Sequence, residues 1–383
     1  MHPLSPRLGI LLVALLSGMQ AAAQPPAVPV PAAPEVNAGG YLLVDHHSGR
    51  VLASKNDNEH FEPASLTKLM TAYVVFKKLE EGAIALDDPV LVSETAWRTG
   101  GSRSFVDVNT RVPLVDLLQG MIVQSGNDAT VALAEHVAGS EATFAALMNE
   151  HARSLGMSGT NFTNSTGWPD PNHYTTASDL AELTAATIDE FPDYYHWYAQ
   201  KEYTWNNIKQ HNRNQLLWRD PSVDGLKTGH TQAAGYCLVA SAERDGMRLT
   251  SVILGSSGEQ VRTAATQALL NYGFSFYETR RLYEAGKEIT TTPVFKGDRE
   301  QAALGIERDL YVTVPRGRFR DLEATVEIQN PVLAPVDPAQ ALGRLSLSMN
   351  DEIVAERPLH SLAAIGAGSL WRRMVDEMRL WFL

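Results

Sequence analysis

Cysteine is nearly absent: Cys237 is the only one in 383 residues, so no intramolecular disulfide can form and stability has to come from core packing. It sits in a run of small and apolar residues, 234–240, which suits a buried structural thiol rather than a nucleophile. Basic charge is also in short supply. Thirty-two Lys and Arg face 44 Asp and Glu, a formal net charge of −12, and no stretch concentrates the cations. Such a surface repels a phosphate backbone and excludes nucleic acid as a partner. No His-Glu-x-x-His occurs and the eleven histidines are scattered, so a zinc peptidase is excluded; neither metal nor cofactor is expected. Finally, no apolar run is long enough to serve as a permanent transmembrane helix.

The longest apolar run, residues 8–19, follows Arg7 and precedes Ala21-Ala22-Ala23. A positive start, a short apolar stretch and small residues at its end read as an export signal over 1–23, with an uncleaved anchor as the alternative. Residues 24–38, rich in Pro and Ala, read as a spacer.

From residue 39 the period of the apolar residues defines elements. Residues 41–45 and 51–53 form a hairpin around His47-Ser48-Gly49-Arg50. Helical spacing covers 65–79, 113–138 with a break at 125–127, 141–155, 177–189 and 262–272. Strands are expected at 203–205, 236–241 and 249–254. This mixture is α+β: an antiparallel sheet flanked by helices over 39–276. A small all-β domain over 277–365 follows, with strands near 310–314 and 324–328. Residues 366–383 form an amphipathic helix. Leu370, Trp371, Met374, Val375, Met378, Trp381 and Phe382 share one side; Arg372, Arg373, Asp376, Glu377 and Arg379 share the other. Its tryptophans and basic bias suit a helix lying in a membrane interface, the alternative being a helix docked on its own β domain.

Three short motifs carry the chemistry: Ser65-Leu66-Thr67-Lys68, Ser125-Gly126-Asn127 and Lys227-Thr228-Gly229. Singly, each also fits a helix cap, a plain turn or a solvated strand, and Ser348-Met349-Asn350 repeats the second by chance. Order and context raise the signal, because the first opens a helix, the second breaks one and the third precedes a strand. Three residues apart at a helix start, Ser65 and Lys68 share a face. A serine hydroxyl needs an adjacent base, and a lysine amine serves once desolvation and a second cation lower its pKa; Lys227 is the natural second cation. Ser125 can relay a proton to the leaving amine, and Asn127 can orient a peptide bond. Gly229 lets a peptide lie along its strand. The main-chain N–H groups of Ser65 and His230 can make an oxyanion hole.

Together these residues resemble the low-molecular-mass penicillin-binding proteins, specifically D-alanyl-D-alanine carboxypeptidases of the penicillin-binding protein 5 and 6 type. The resemblance extends to Pro63-Ala64 and Gln124, to Asn212-Arg213-Asn214, to Asp224-Gly225-Leu226 and His230-Thr231, and to Pro315-Arg316-Gly317-Arg318. It implies a serine β-lactamase/transpeptidase-like domain in which Ser65 is acylated, Lys68 is its base and Ser125 the relay. It also implies that Thr228, Arg213 and Arg262 receive a terminal carboxylate; only the resemblance singles out the two arginines. The implied reaction removes the terminal D-alanine from peptidoglycan stem peptides, with covalent binding of β-lactams. The implied location is the periplasm, on the outer face of the inner membrane through the terminal helix. The chain departs from many relatives at Asn164-Ser165-Thr166-Gly167-Trp168-Pro169 and around Trp97 to Phe105.

Three other readings compete. A D,D-endopeptidase would use the same site. A class A β-lactamase would need a Glu-x-x-Leu-Asn segment, which does not occur between the second and third motifs. A non-catalytic wall-binding scaffold would have no need of the complete Ser, Lys, Ser, Asn, Lys set.

Overall fold

Strands β1 (Gly40–Asp45) and β2 (Val51–Lys55) pair antiparallel around the expected turn, with Tyr41 opposite Lys55. They open a five-stranded sheet completed by β3 (Val223–Thr231), β4 (Gly235–Arg244) and β5 (Met247–Ser256), in the order β2-β1-β5-β4-β3. Every neighbouring pair is antiparallel, and β3, which carries Lys-Thr-Gly, ends the sheet. The computed structural model describes residues 9–11 and 29–382. Apart from Gly9–Leu11, which run antiparallel to residues 326–328, the export-signal reading lies outside the described residues, as do residues 24–28 of the spacer. The rest of that spacer is tied down, because the Tyr272 hydroxyl donates to the Pro31 carbonyl (3.1 Å).

The described residues divide into two compact units, 31–275 and 276–382, the latter joined by residues 9–11 and 29–30. In the first, helices α1 (Thr67–Glu80), α2 (Asn127–Ala138), α3 (Glu141–Ser154), α4 (Ala177–Glu190) and α5 (Glu259–Phe276) surround the sheet. Helix α1 is the central one: every residue from Thr67 to Phe76 is buried. That explains its continuous apolar run, since a helix covered on all sides has no polar face to show. Ser140 and Thr176 cap α3 and α4 with side-chain hydrogen bonds to the Thr143 and Asp179 amides. A hairpin not expected from the sequence pairs Glu202–Trp205 with Ile208–His211. Its turn residues, Asn206 and Asn207, both have positive φ (48° and 61°), as a two-residue hairpin turn of the primed kind requires.

The second unit has an all-β core, with strands β6 (Tyr277–Tyr283), β7 (Thr290–Phe295), β8 (Gln301–Gly305), β9 (Leu310–Pro315), β10 (Leu322–Ile328), β11 (Val332–Leu333), β12 (Ala341–Met349) and β13 (Glu352–Ser361). Strand β6 pairs with β9; the others form one sheet, ordered β10-β12-β13-β8-β7-β11. The unit ends in helix α6 (Leu370–Leu380), capped by Ser369. This helix meets its own unit through its polar side. Asp376, 4 % exposed, accepts a hydrogen bond from the Lys296 amide (2.7 Å), while Lys296 pairs with Glu377. Its apolar side faces outward, with Trp371, Met374, Met378, Trp381 and Phe382 exposed.

Candidate active site

Ser65 does not begin the α-helix itself. It lies in a 3₁₀ turn, Ala64–Leu66, that runs directly into α1, and Ala64 takes the left-handed conformation (φ 47°). The i, i+3 relation nevertheless holds: the Lys68 Nζ lies 3.1 Å from Ser65 Oγ. Its second partner is the Thr166 carbonyl at 2.6 Å. Lys68 is 1 % exposed. Burial first, and then the charge of Arg213, bring its pKa down from 10.5 to about 7. The depressing cation is thus Arg213, where the sequence suggested Lys227. Lys227 is itself pushed well below the usual lysine range by burial, then by Lys68, Arg213 and Arg262. The charge on Lys68 thus opposes one on Lys227.

The second motif follows a wide π-type turn, Gly120–Gln124, which delivers Ser125 into a left-handed conformation (φ 67°, ψ 31°). Such wide turns and strained residues concentrate at functional sites. Ser125 Oγ is buried and has no hydrogen-bond partner among the described residues, and neither has Asn127 Oδ1. Asn127 Nδ2 donates to the Gly100 carbonyl (2.7 Å), which fixes the amide so that its oxygen is the free end. Asp128, fully buried, accepts from the amides of Ser104 (2.7 Å) and Phe105 (2.9 Å), drawing the 100–106 loop against the motif.

Edge strand β3 brings Lys227, Thr228 and Gly229 beside the serine turn. The missing side chain of Gly229 has a further use. A β-carbon there would stand 2.9 Å from the Pro63 carbonyl oxygen and 3.3 Å from Ala64 Cβ, so glycine is what lets strand and turn approach. His230, exposed, packs on Tyr236 (ring centroids 4.1 Å apart). Arg262 is buried and engaged. It donates to the Gly229 carbonyl (3.2 Å) and pairs with Glu259 (3.5 Å). Arg213 is exposed and makes no hydrogen bond or ion pair among the described residues.

All these groups meet at a cleft of about 720 Å³. Ser65, Ser125, Asn127, Arg213, Thr228, Gly229, His230 and Arg262 line its wall; the amines of Lys68 and Lys227 lie behind it, in contact with Ser65 and Thr228. Four cationic side chains gather here, and of them only Arg262 is ion-paired. The arrangement can activate a hydroxyl and hold an anion.

Several contributors were missed in the sequence. The Thr166 carbonyl holds Lys68. Asn164 Oδ1 in turn accepts from the amides of Thr166, Gly167 and Trp168 (3.2, 2.8 and 3.0 Å). Gly167 (φ 84°) lies so close to the serine turn that a β-carbon would fall 1.7 Å from the Ala64 carbonyl oxygen. His173 Nδ1 accepts from the Thr163 amide, so Nε2 carries the proton and donates to Thr67 Oγ1 (2.8 Å). Burial lowers the His173 pKa to about 4. Asn164 followed three residues later by glycine is an Asx-turn signal and was available; the rest depends on long-range contacts.

Comparison with known proteins agrees with this geometry. The family model described as D-alanyl-D-alanine carboxypeptidase, peptidase S11, matches residues 27–258, and that of the penicillin-binding protein 5 C-terminal domain matches residues 277–367. The D-alanyl-D-alanine carboxypeptidase DacA of Escherichia coli K12 is 39 % identical over 361 residues, covering 92 % of this chain and 90 % of its own length. DacC from the same organism is 40 % identical over 358 residues, covering 91 % and 90 %. The crystal structure of penicillin binding protein 5 from Haemophilus influenzae superposes with a TM-score of 0.85 at 41 % identity, covering 87 % of this chain and 98 % of that one. An S-x-x-K serine beside a depressed lysine, an S-x-N turn and an edge K-T-G strand, carried on two matching domains, place the chain in the D-alanyl-D-alanine carboxypeptidase family of the penicillin-binding protein 5 type.

Proposed function

We propose that the protein removes the terminal D-alanine from peptidoglycan stem peptides by way of an acyl-enzyme on Ser65. The observation that carries this reading is the 3.1 Å contact between Ser65 Oγ and an amine whose pKa is lowered to about 7. At neutral pH a large fraction of Lys68 is therefore uncharged and able to take a proton.

The geometry supports the following steps. The peptide adds along β3, with its carboxylate at Arg213 and Thr228. Arg262, whose two terminal nitrogens are engaged with the Gly229 and Cys237 carbonyls and Glu259, acts by fixing the strand and by its charge. The free Asn127 oxygen accepts the substrate's N–H. Neutral Lys68 takes the Ser65 proton as Oγ attacks the carbonyl carbon of the penultimate D-alanine. The amides of Ser65 and His230 stabilise the oxyanion. The C–N bond breaks, and the proton on Lys68 passes through Ser125 to the departing D-alanine amine. Water then attacks the ester and gives a proton to Lys68, which passes it to Ser65 Oγ as the acyl–oxygen bond breaks, releasing the shortened peptide and restoring both residues. A β-lactam enters by the same first step, but its leaving amine stays tethered to the acyl group and impedes the water.

No helix among the described residues is long and apolar enough to cross a membrane. The outward apolar side of α6 supports interfacial attachment, with the catalytic unit on the periplasmic side. A peptide ending in D-Ala-D-Ala should lose one alanine by mass spectrometry, and Ser65→Ala should abolish the loss. Persistence of the reaction in that variant would exclude the acyl-serine route.

A further inference from the structure

Trp168 is the largest exposed apolar side chain on the cleft wall, 54 % accessible, and its backbone is unusually well fixed. Its amide donates to Asn164 Oδ1 (3.0 Å), and its carbonyl accepts from Asn164 Nδ2 (2.9 Å). The indole reaches across to the opposite loop. A β-carbon at Gly100 would touch Cη2 at 3.6 Å, and one at Gly101 would touch Cζ3 at 3.3 Å. The same Gly101 position abuts Asn127 Nδ2 at 2.7 Å, so ring, glycine backbone and substrate-orienting amide are contiguous. A bulky aromatic held this rigidly, yet left half in water, loses little entropy when a ligand covers it.

The cleft wall thus has a cationic part, around Arg213 and Thr228, and an apolar part made by Trp168, Pro169 and Gly101. A peptide whose carboxylate occupies the first leaves its preceding residues to the second. We propose that Trp168 is a specificity-determining residue whose indole receives the side chain of the residue preceding the two D-alanines, favouring a long unbranched one laid flat on the ring. The inference rests on the carboxypeptidase reading above. Lysine-type side chains suit such a platform because their methylene stems cover apolar surface while the charged tip stays in water.

The test uses three N-acetylated tripeptides ending in D-Ala-D-Ala and differing only in the first residue: glycine, norleucine or lysine. The full chain should favour the norleucine and lysine peptides over glycine in kcat/KM. In Trp168→Ala that preference should shrink by about tenfold, the scale of losing a few methylene contacts, while Trp168→Phe should keep most of it. An unchanged preference in Trp168→Ala, whether or not all three rates fall together, overturns the proposal and leaves Trp168 a loop-packing residue. Failure of the wild type to cleave any of the three overturns the underlying reading, and this one with it.

Discussion

At the scale of single residues, the site turns on two buried amines, both held below the usual lysine range. The folded-state pKa of Lys68, about 7, lies below its ordinary value of 10.5, so between these values the unfolded chain binds a proton that the native chain does not. Stability therefore rises with pH across that window, and at neutral pH the buried amine is a net cost. Lys68→Met should slow acylation by a labelled penicillin about 10²–10⁴-fold, the usual worth of a general base, and raise the thermal midpoint. In the wild type, acylation should climb with pH through about 7. Since Arg213 is the charge that depresses Lys68, Arg213→Gln should move this limb to higher pH; an unmoved limb would return that role to another cation. The Ser65–Lys68 relation was legible because it is local, three residues on one helical stripe. The Thr166 carbonyl that holds the amine was not, because it comes from 98 residues away and carries no side-chain signature.

Among elements, the sequence fared best where a period repeats and worst where two segments meet. Helices α1, α3 and α4, the β1–β2 hairpin and the break at Ser125 follow from apolar spacing and turn residues. The Glu202–Trp205 and Ile208–His211 hairpin escaped, although its Asn-Asn turn was a fair signal, because the second strand, Ile-Lys-Gln-His, is too polar to register as one. The close approach at Gly229 went unread for a related reason: a glycine in a strand reports a close neighbour without saying which. Gly167 poses the same problem more severely. With φ at 84° and a β-carbon landing 1.7 Å from the Ala64 carbonyl oxygen, Gly167→Ala has to push the 164–169 loop away from the serine turn. That displacement should take the Thr166 carbonyl from Lys68 and cut penicillin labelling at least about tenfold, with residual label read by gel fluorescence. Near-normal labelling would mean the loop yields without disturbing the amine.

For the whole molecule, composition pointed to a packed core in place of disulfides, and the expected fold class, an α+β domain followed by an all-β one, agrees with the matching family models. The net charge of −12 is not evenly spread, since α6 places Arg372, Arg373 and Arg379 beside an apolar side ending in Trp381, which is 81 % exposed. Sequence alone left open whether that side packs on the β unit; Asp376 decides it by taking the polar side inward. Deleting residues 366–383 should release the enzyme from phosphatidylglycerol-containing vesicles in a sedimentation assay and leave hydrolysis of a soluble tripeptide within about twofold, because the deleted segment carries none of the cleft residues. Continued sedimentation would locate the attachment elsewhere.

The position of β3 at the rim of its sheet has a price in colloidal behaviour. A rim strand offers unpaired main-chain groups to any extended partner, including the same strand of another copy, which is how aggregates begin. Here the serine turn crowds that rim so closely that even a methyl group at Gly229 would meet it. Crowding of this kind leaves a folded neighbour less room to pair with the strand at that point.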